Sequence, residues 1–180
     1  MKKLFLMAFA MFALSVSAQY RYATGPIIGS MYGGSYKMYC SDHIVLQTDL
    51  MVGLHAAPGS LYLDNEYYSS FTEHYWDLVL NPNLMYQAPI ANVKVGWLNY
   101  FVGAGISGGL AMEYSPSYIF GKVGGNAIVG MEYVFEGIPF SISMDFRPGY
   151  SCILAKYYGI MTDMHMFDWG LGFAFRYYIK

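Results

Sequence analysis

The chain has 180 residues, 19% aromatic and only 12% charged, where a soluble domain carries roughly 25% charge. Ten basic and twelve acidic residues leave a net charge of −2, which excludes the basic footprint of a nucleic-acid partner. A membrane-spanning helix is not supported either, because the uncharged run 95–112 holds five glycines and alternates with period two.

Residues 1–18 read as a cleaved signal peptide. Lys2 and Lys3 form the basic start, residues 4–14 the apolar stretch, and Val16-Ser17-Ala18 the small-residue site before Gln19. An uncleaved anchor is the lesser alternative, and no cysteine marks a lipoprotein. Residues 19–180 are then one exported domain.

Eight strands are expected in that domain. Two short ones, 21–31 and 35–40, are joined at Gly33-Gly34, a pair suited to a tight hairpin turn, and Ser41-Asp42 makes the next turn. The third, 43–55, sets Ile44, Leu46, Leu50, Val52 and Leu54 against Gln47, Asp49 and Gly53. Residues 56–72 read as a long polar and aromatic loop, with Pro58-Gly59 and Asp64-Asn65 as turn chemistry.

The fourth strand, 73–87, sets Trp76, Leu78, Leu80, Leu84 and Tyr86 against Asp77, Asn81, Asn83 and Gln87, with Pro82 predicting a bulge or a broken ladder bond. The fifth, 96–113, turns Leu98, Tyr100, Val102, Ala104, Ile106, Leu110 and Met112 outward, and Asn99, Gly103, Gly105, Ser107 and Gly109 inward. Residues 114–121 are a loop. The sixth, 122–135, places Asn126, Gly130 and Glu132 opposite Val123, Ala127, Val129 and Met131.

After the turn 136–138, the seventh strand gives the clearest signal. From Phe140 to Leu154 every second residue is apolar or aromatic, and Ser141, Ser143, Asp145, Arg147, Gly149 and Ser151 lie between them. Fifteen residues of alternation exceed the roughly 5–6 of a usual strand. A loop at 155–165 precedes the eighth strand, whose outer face runs Phe167, Trp169, Leu171, Phe173, Phe175, Tyr177, Ile179 and whose inner face is Asp168, Gly170, Gly172, Ala174, Arg176.

Arg21, Lys37, Asp49, Asp77, Lys122, Glu132, Asp145, Arg147, Asp168 and Arg176 all take the inward phase. A basic side chain facing lipid at mid-bilayer costs about 2–4 kcal/mol. The expected fold is therefore all-β: an eight-stranded antiparallel up-and-down transmembrane β-barrel, apolar outside and polar within. Short turns assign 41–42, 88–95 and 136–138 to the periplasm, and the longer 56–72, 114–121 and 155–165 connections face outward from the cell. A soluble lipocalin-like barrel has the same alternation with the faces exchanged; ionisable groups in so narrow a lumen argue against it.

The run from Gly130 to Pro148, Gly-Met-Glu-Tyr-Val-Phe-Glu-Gly-Ile-Pro-Phe-Ser-Ile-Ser-Met-Asp-Phe-Arg-Pro, resembles a small outer-membrane β-barrel family common in Bacteroidota. Ser35 to Asp42, the aromatic closing strand and Gln19 after the cleavage site are similar too. The resemblance implies an eight-stranded barrel of the OmpA/OmpX type in the outer membrane of a Gram-negative bacterium, with no settled biochemical role. It also implies outer-membrane lipid, periplasmic chaperones and the barrel-assembly machinery as partners. The end of the chain departs from the pattern, because Ile179 and Lys180 follow the last aromatic residue.

Candidate chemistry is sparse. Lys37, Asp49, Asp77, Glu132, Asp145, Arg147, Asp168 and Arg176 are expected to form a buried lumen network, which in so narrow a barrel favours a self-satisfied plug over a gated pore. His74, beside Glu73 and near Ser69 and Ser70, is the one rim constellation that fits a lipid A-modifying enzyme. Met161, Asp163, Met164, His165 and Met166 offer soft ligands suited to copper(I), although methionine clusters more often pack as apolar filler. The aromatic stretch 61–76 suits a ligand surface or the interfacial girdle. Cys40 and Cys152 fall near opposite ends of different strands, both on the lipid-facing phase, so two free, buried thiols are expected. The expected role is a non-enzymatic membrane scaffold presenting outer loops, without cofactor or metal. A lipid A-modifying enzyme and a narrow channel are the alternatives, and no extracellular ligand is indicated.

Overall fold

The structure, a computed structural model, describes residues 21–63, 66–113, 119–157 and 160–179, with backbone alone described at 54–63, 66–75, 113, 155–157 and 160–164. The expected signal peptide lies outside the described residues. The strands are β1 Tyr22–Gly29, β2 Met31–Tyr39, β3 Ile44–Leu63, β4 Glu66–Val93, β5 Gly96–Glu113, β6 Ile119–Phe135, β7 Phe140–Tyr157 and β8 Ile160–Ile179. Each pairs antiparallel with its chain neighbours, and β1 pairs with β8 to close one ring. Among the described residues no helix is long and apolar enough to cross a membrane.

The register fixes the shape of the ring. Followed from Ile27 through Gly33, Met51, Val79, Gly109, Lys122 and Ile153, the pairing reaches β8 at Met164. Ile27 pairs directly with Ala174, ten residues further along β8. A shear of ten over eight strands tilts them by about 40° and leaves an interior that side chains can fill. The start of β1, the end of β8 and the connections 40–43, 94–95 and 136–139 lie at one end, here the terminal end; the other is the hairpin end.

Several boundaries differ from the sequence expectation. The first turn is at Ser30, not at Gly33-Gly34, which lie inside β2. Gly29 makes that turn possible, since its φ of +149° suits glycine and an added Cβ would strike the Leu171 carbonyl. Residues 56–63 and 66–72 are not loop: β3 and β4 continue as a paired hairpin, with a register shift at Leu61/Tyr62. Likewise 119–121 belong to β6, and 155–157 and 160–165 to β7 and β8. Main-chain pairing sustains these strand ends, so side-chain alternation is not required there. β4 also runs on to Val93 through a shift at Pro89/Ala91, which shortens its turn to two residues.

Pro82 breaks a ladder bond without a bulge. The β4–β5 register is the same on either side of it, Leu80 with Gly108 and Asn83 with Gly105. Ile106 stands opposite Pro82, which has no N–H to donate, and the Asn81 side-chain amide donates to the Ile106 carbonyl instead at 3.1 Å.

Outward-facing apolar side chains are exposed all round the ring, among them Leu50, Leu80, Val102, Val129, Phe146 and Phe173. Rings gather at the terminal end, where Phe140 meets Tyr177 at 5.3 Å and Tyr22 meets Tyr36 at 5.9 Å between centroids. Trp76, Tyr150, Phe167 and Trp169 mark the other border. The interior is not wholly polar. Three buried apolar clusters line it: Val45, Met85, Phe101 and Ile128; Ile27, Met51 and Ala174; and Ala111, Ile153 and Met166.

Candidate functional site: the barrel lumen

Alternation along tilted strands delivers the inward side chains to the lumen in layers. Nearest the terminal end, β6 supplies Glu132, which is fully buried. Its Oε2 accepts from Lys37 Nζ of β2 and Gln87 Nε2 of β4, both at 2.8 Å. Its Oε1 accepts from Ser141 Oγ of β7 at 2.9 Å and lies 3.6 Å from Arg176 Nη1 of β8. Arg176 also donates to Ser35 and Ser143 at 3.0 and 2.6 Å. One carboxylate thus ties together strands from five positions in the ring. Phe101 closes the layer from above, with Lys37 Nζ 5.0 Å from its ring centre.

In the next layer Arg147 bridges two carboxylates. It donates to Asp145 at 2.5 and 3.0 Å and to Asp49 at 2.6 Å, and Gln47 adds a bond to Asp49 at 2.8 Å. The fork geometry of guanidinium suits this double engagement. Three amides form a closed circuit beside it. Asn81 donates to Asn126 at 2.6 Å, Asn126 to Asn83 at 2.7 Å, and Asn83 back to Asn81 at 2.5 Å.

Toward the hairpin end Lys122 joins Asp77 at 2.6 Å and Asp168 at 3.1 Å, and Ser151 donates to Asp168 at 2.5 Å. The eight residues expected in a lumen network are therefore all in the lumen, but in three separate ionic layers. Lys122, which the expected network omitted, holds the third together. Five carboxylates (Asp49, Asp77, Glu132, Asp145, Asp168) meet four cations (Lys37, Lys122, Arg147, Arg176), and each has an opposite charge within 4 Å. Arg21 departs from its expected phase: it precedes β1 and is exposed.

The other candidates separate. His165 is exposed and stacks on Tyr150 at 5.8 Å, while Met166 is buried in the lumen, so adjacent members of the methionine–histidine cluster face opposite sides of the wall. Met161, Asp163 and Met164 lie in the backbone of β8, with side chains outside the described ones. Ser69, Ser70, Glu73 and His74 lie in β4, opposite Leu61, Ser60, Ala57 and Ala56, and their side chains are likewise outside the described ones. Among the described residues no cluster of metal-ligating side chains occurs. Neither Cys40 nor Cys152 is in a disulfide, and both are half-buried and not buried as expected, because each sits on the outer side of the wall.

The apolar layer of Val45, Met85, Phe101 and Ile128 was missed by the sequence reading, although parity carries it. Each sits on the inward phase, two residues from an inward polar or glycine position: Gln47, Asn83, Asn99 and Asn126.

No protein-family model matches the sequence, and no curated protein matches it. Among solved structures, Ail, the attachment invasion locus protein of Yersinia pestis, is similar over 87% of this chain and 93% of its own, at 12% identity and a TM-score of 0.26. The architecture rests on this chain's own strand register.

Proposed function

We propose that the protein is an outer-membrane β-barrel of a Gram-negative bacterium that acts as a non-enzymatic scaffold. It holds the β3–β4 and β7–β8 hairpins beyond the membrane for surface contact or envelope integrity. The observation that carries this reading is the inversion of ordinary burial. Ile142, Met144 and Phe146 are 40–44% exposed while Ser141, Ser143 and Asp145 between them are at most 1% exposed. Such an arrangement is stable where hydrocarbon is outside, and the closed ring leaves no unpaired edge in the bilayer core. The resemblance of residues 130–148 points the same way, and implies insertion by the barrel-assembly machinery with periplasmic chaperones.

The test places spin labels at Ile142→Cys and Leu171→Cys in a background lacking Cys40 and Cys152, with the protein refolded into vesicles. Collision with oxygen and not with a water-soluble nickel chelate is expected at both. Collision with the chelate would overturn the membrane reading. Altered lipid A masses in a deletion strain would replace the scaffold with a lipid-modifying enzyme. Unitary conductance steps in a planar bilayer would replace it with a channel.

A further inference from the structure

Three fully buried side-chain atoms have no hydrogen-bond partner among the described residues: Gln47 Oε1, Asp49 Oδ1 and Arg176 Nη2. A buried polar group left bare is costly, and such atoms are rare in a folded chain. Here the three belong to one corner of the lumen, where the Glu132 layer meets the Arg147 layer. The described side chains of β3 run on to Gly53, so Gln47 and Asp49 stand well inside them.

The register brings them together. Asp49 of β3 pairs with Ser35 of β2, and Gln47 pairs with Lys37. Ser35 pairs with Gly25 of β1, and Gly25 falls opposite Arg176, between the pairs Thr24–Tyr177 and Ile27–Ala174. Gly25 has no side chain, so the Arg176 guanidinium crosses β1 and its Nε donates to Ser35 Oγ at 3.0 Å. Nε and Nη2 share one edge of a guanidinium; on Arg147 that edge holds both oxygens of Asp145. Arg176 therefore turns Nη2 along the Ser35 edge toward β3, where Asp49 is the next inward side chain in the row. Asp49 offers Oδ1 there, because Oδ2 is taken by Gln47 Nε2 at 2.8 Å and Arg147 Nη1 at 2.6 Å. The bond from Nε2 also fixes the Gln47 amide, since the exchanged amide would set its oxygen against a carboxylate oxygen.

A cavity of about 80 Å³ lies nearer the hairpin end, with Arg147 in its wall. Gln47, Asp49 and Arg176 do not line it, so the corner is a separate place. The chemistry of the three atoms selects what fits. Two accept and one donates, so a common partner must donate twice and accept once. The six charges around the corner cancel: Asp49, Glu132 and Asp145 against Lys37, Arg147 and Arg176. A cation bound there would be uncompensated and would face Arg176, and an anion would face two bare acceptors. Water is neutral and both donates and accepts, and about three protein bonds are usual for a buried one. We propose that this corner is a binding site for one enclosed water, which accepts from Arg176 Nη2 and donates to Gln47 Oε1 and Asp49 Oδ1. The water joins the Glu132 layer to the Arg147 layer, so that Arg176 is held to β3 through it and to β2 and β7 directly. The assignment does not depend on what surrounds the barrel.

The test is the electron density of the full-length mature protein, refolded and crystallised at a resolution that shows ordered water. One peak is expected about 2.7–3.2 Å from each of Arg176 Nη2, Gln47 Oε1 and Asp49 Oδ1. Gln47→Met nearly keeps the side chain's length and removes its amide. It should lower the occupancy of that peak about twofold or more, because one of three partners is gone. Heat-modifiable gel mobility confirms folding, and the wild-type density decides alone should the variant not fold. Absence of the peak in the wild-type protein, direct pairing of the three atoms with one another, or a peak unchanged in Gln47→Met overturns the site. An anomalous peak there after a rubidium chloride soak would make the ligand a monovalent cation and overturn the water.

Discussion

Replacing Glu132 by leucine removes the carboxylate that faces both Lys37, at 2.8 Å, and Arg176, at 3.6 Å. All three side chains are at 0% exposure, so neither cation can turn to water. Breaking a buried pair by deleting one partner costs about 3–5 kcal/mol, because the remaining charge is left uncompensated. Here two cations are stranded, and Gln87 and Ser141 lose their acceptor as well. Leucine nearly conserves volume, so a cavity adds little. The unfolding free energy in vesicles should fall by about 3–5 kcal/mol, toward the upper end. Adding Lys37→Met removes one stranded charge and should recover a good part of the loss, since apolar replacement of a buried pair is often close to neutral. Urea unfolding followed by tryptophan fluorescence, run as a double-mutant cycle, measures both numbers. A loss under about 1 kcal/mol is the size of a solvated surface pair. That result, or a Lys37→Met change that recovers nothing, would refute the reading of Glu132 as the shared counter-charge of two buried cations.

Phe146→Arg, on the outer face midway along β7, should cost about 2–4 kcal/mol in vesicle unfolding, whereas Ile138→Arg in the terminal-end turn should cost about 0–1. Gly137 has a φ of +82° and open space around it, so Gly137→Ala should cost about 1–2 kcal/mol by urea titration. Gly29→Ala should cost more, because its Cβ would also meet the Leu171 carbonyl. Asn81→Ala should lose about 1–3 kcal/mol by unpairing the Ile106 carbonyl and opening the amide circuit. Pro82→Ala in that background restores a main-chain donor and should recover part of the loss in the same titration; no recovery would refute the substitution of side chain for backbone.

The alternation that placed most side chains in or out was legible because successive residues of a strand point to opposite faces of the wall. Hence Asp145, Arg147 and Arg176 lie where their parity put them. Strand length was not legible. From Ala56 to Leu63 and from Glu66 to Thr72 the pairing is carried by main-chain bonds, which any sequence without excess proline can make, so polar composition there resembled a loop. The first turn was misplaced for a related reason: Gly33-Gly34 suits a hairpin, but Gly29 supplies the positive φ that the observed turn uses. Pairing partners across the ring, such as Asp49 with Arg147, depend on the shear and cannot be read from one strand. Parity also carries the apolar lumen layer, but Phe101 and Ile128 stand among polar and glycine residues on the inward face, Asn99, Gly103, Asn126 and Gly130, so one strand alone does not mark them.

The layers give the lumen two unlike ends. From the row of Ile27, Met51 and Val79 that borders the cavity, Val45 and Met85 are six residues nearer the terminal end of their strands. Phe101 and Ile128 complete that block, and the Lys37–Glu132–Arg176 layer lies against it. The cavity therefore lies on one side of the block and the Glu132 ionic layer on the other. The cavity is lined by Asn81, Ser107 and Asn126 together with Lys122, Arg147 and Asp168. At the base Glu132 joins strands around the ring, while β1 and β2 are the shortest strands in it.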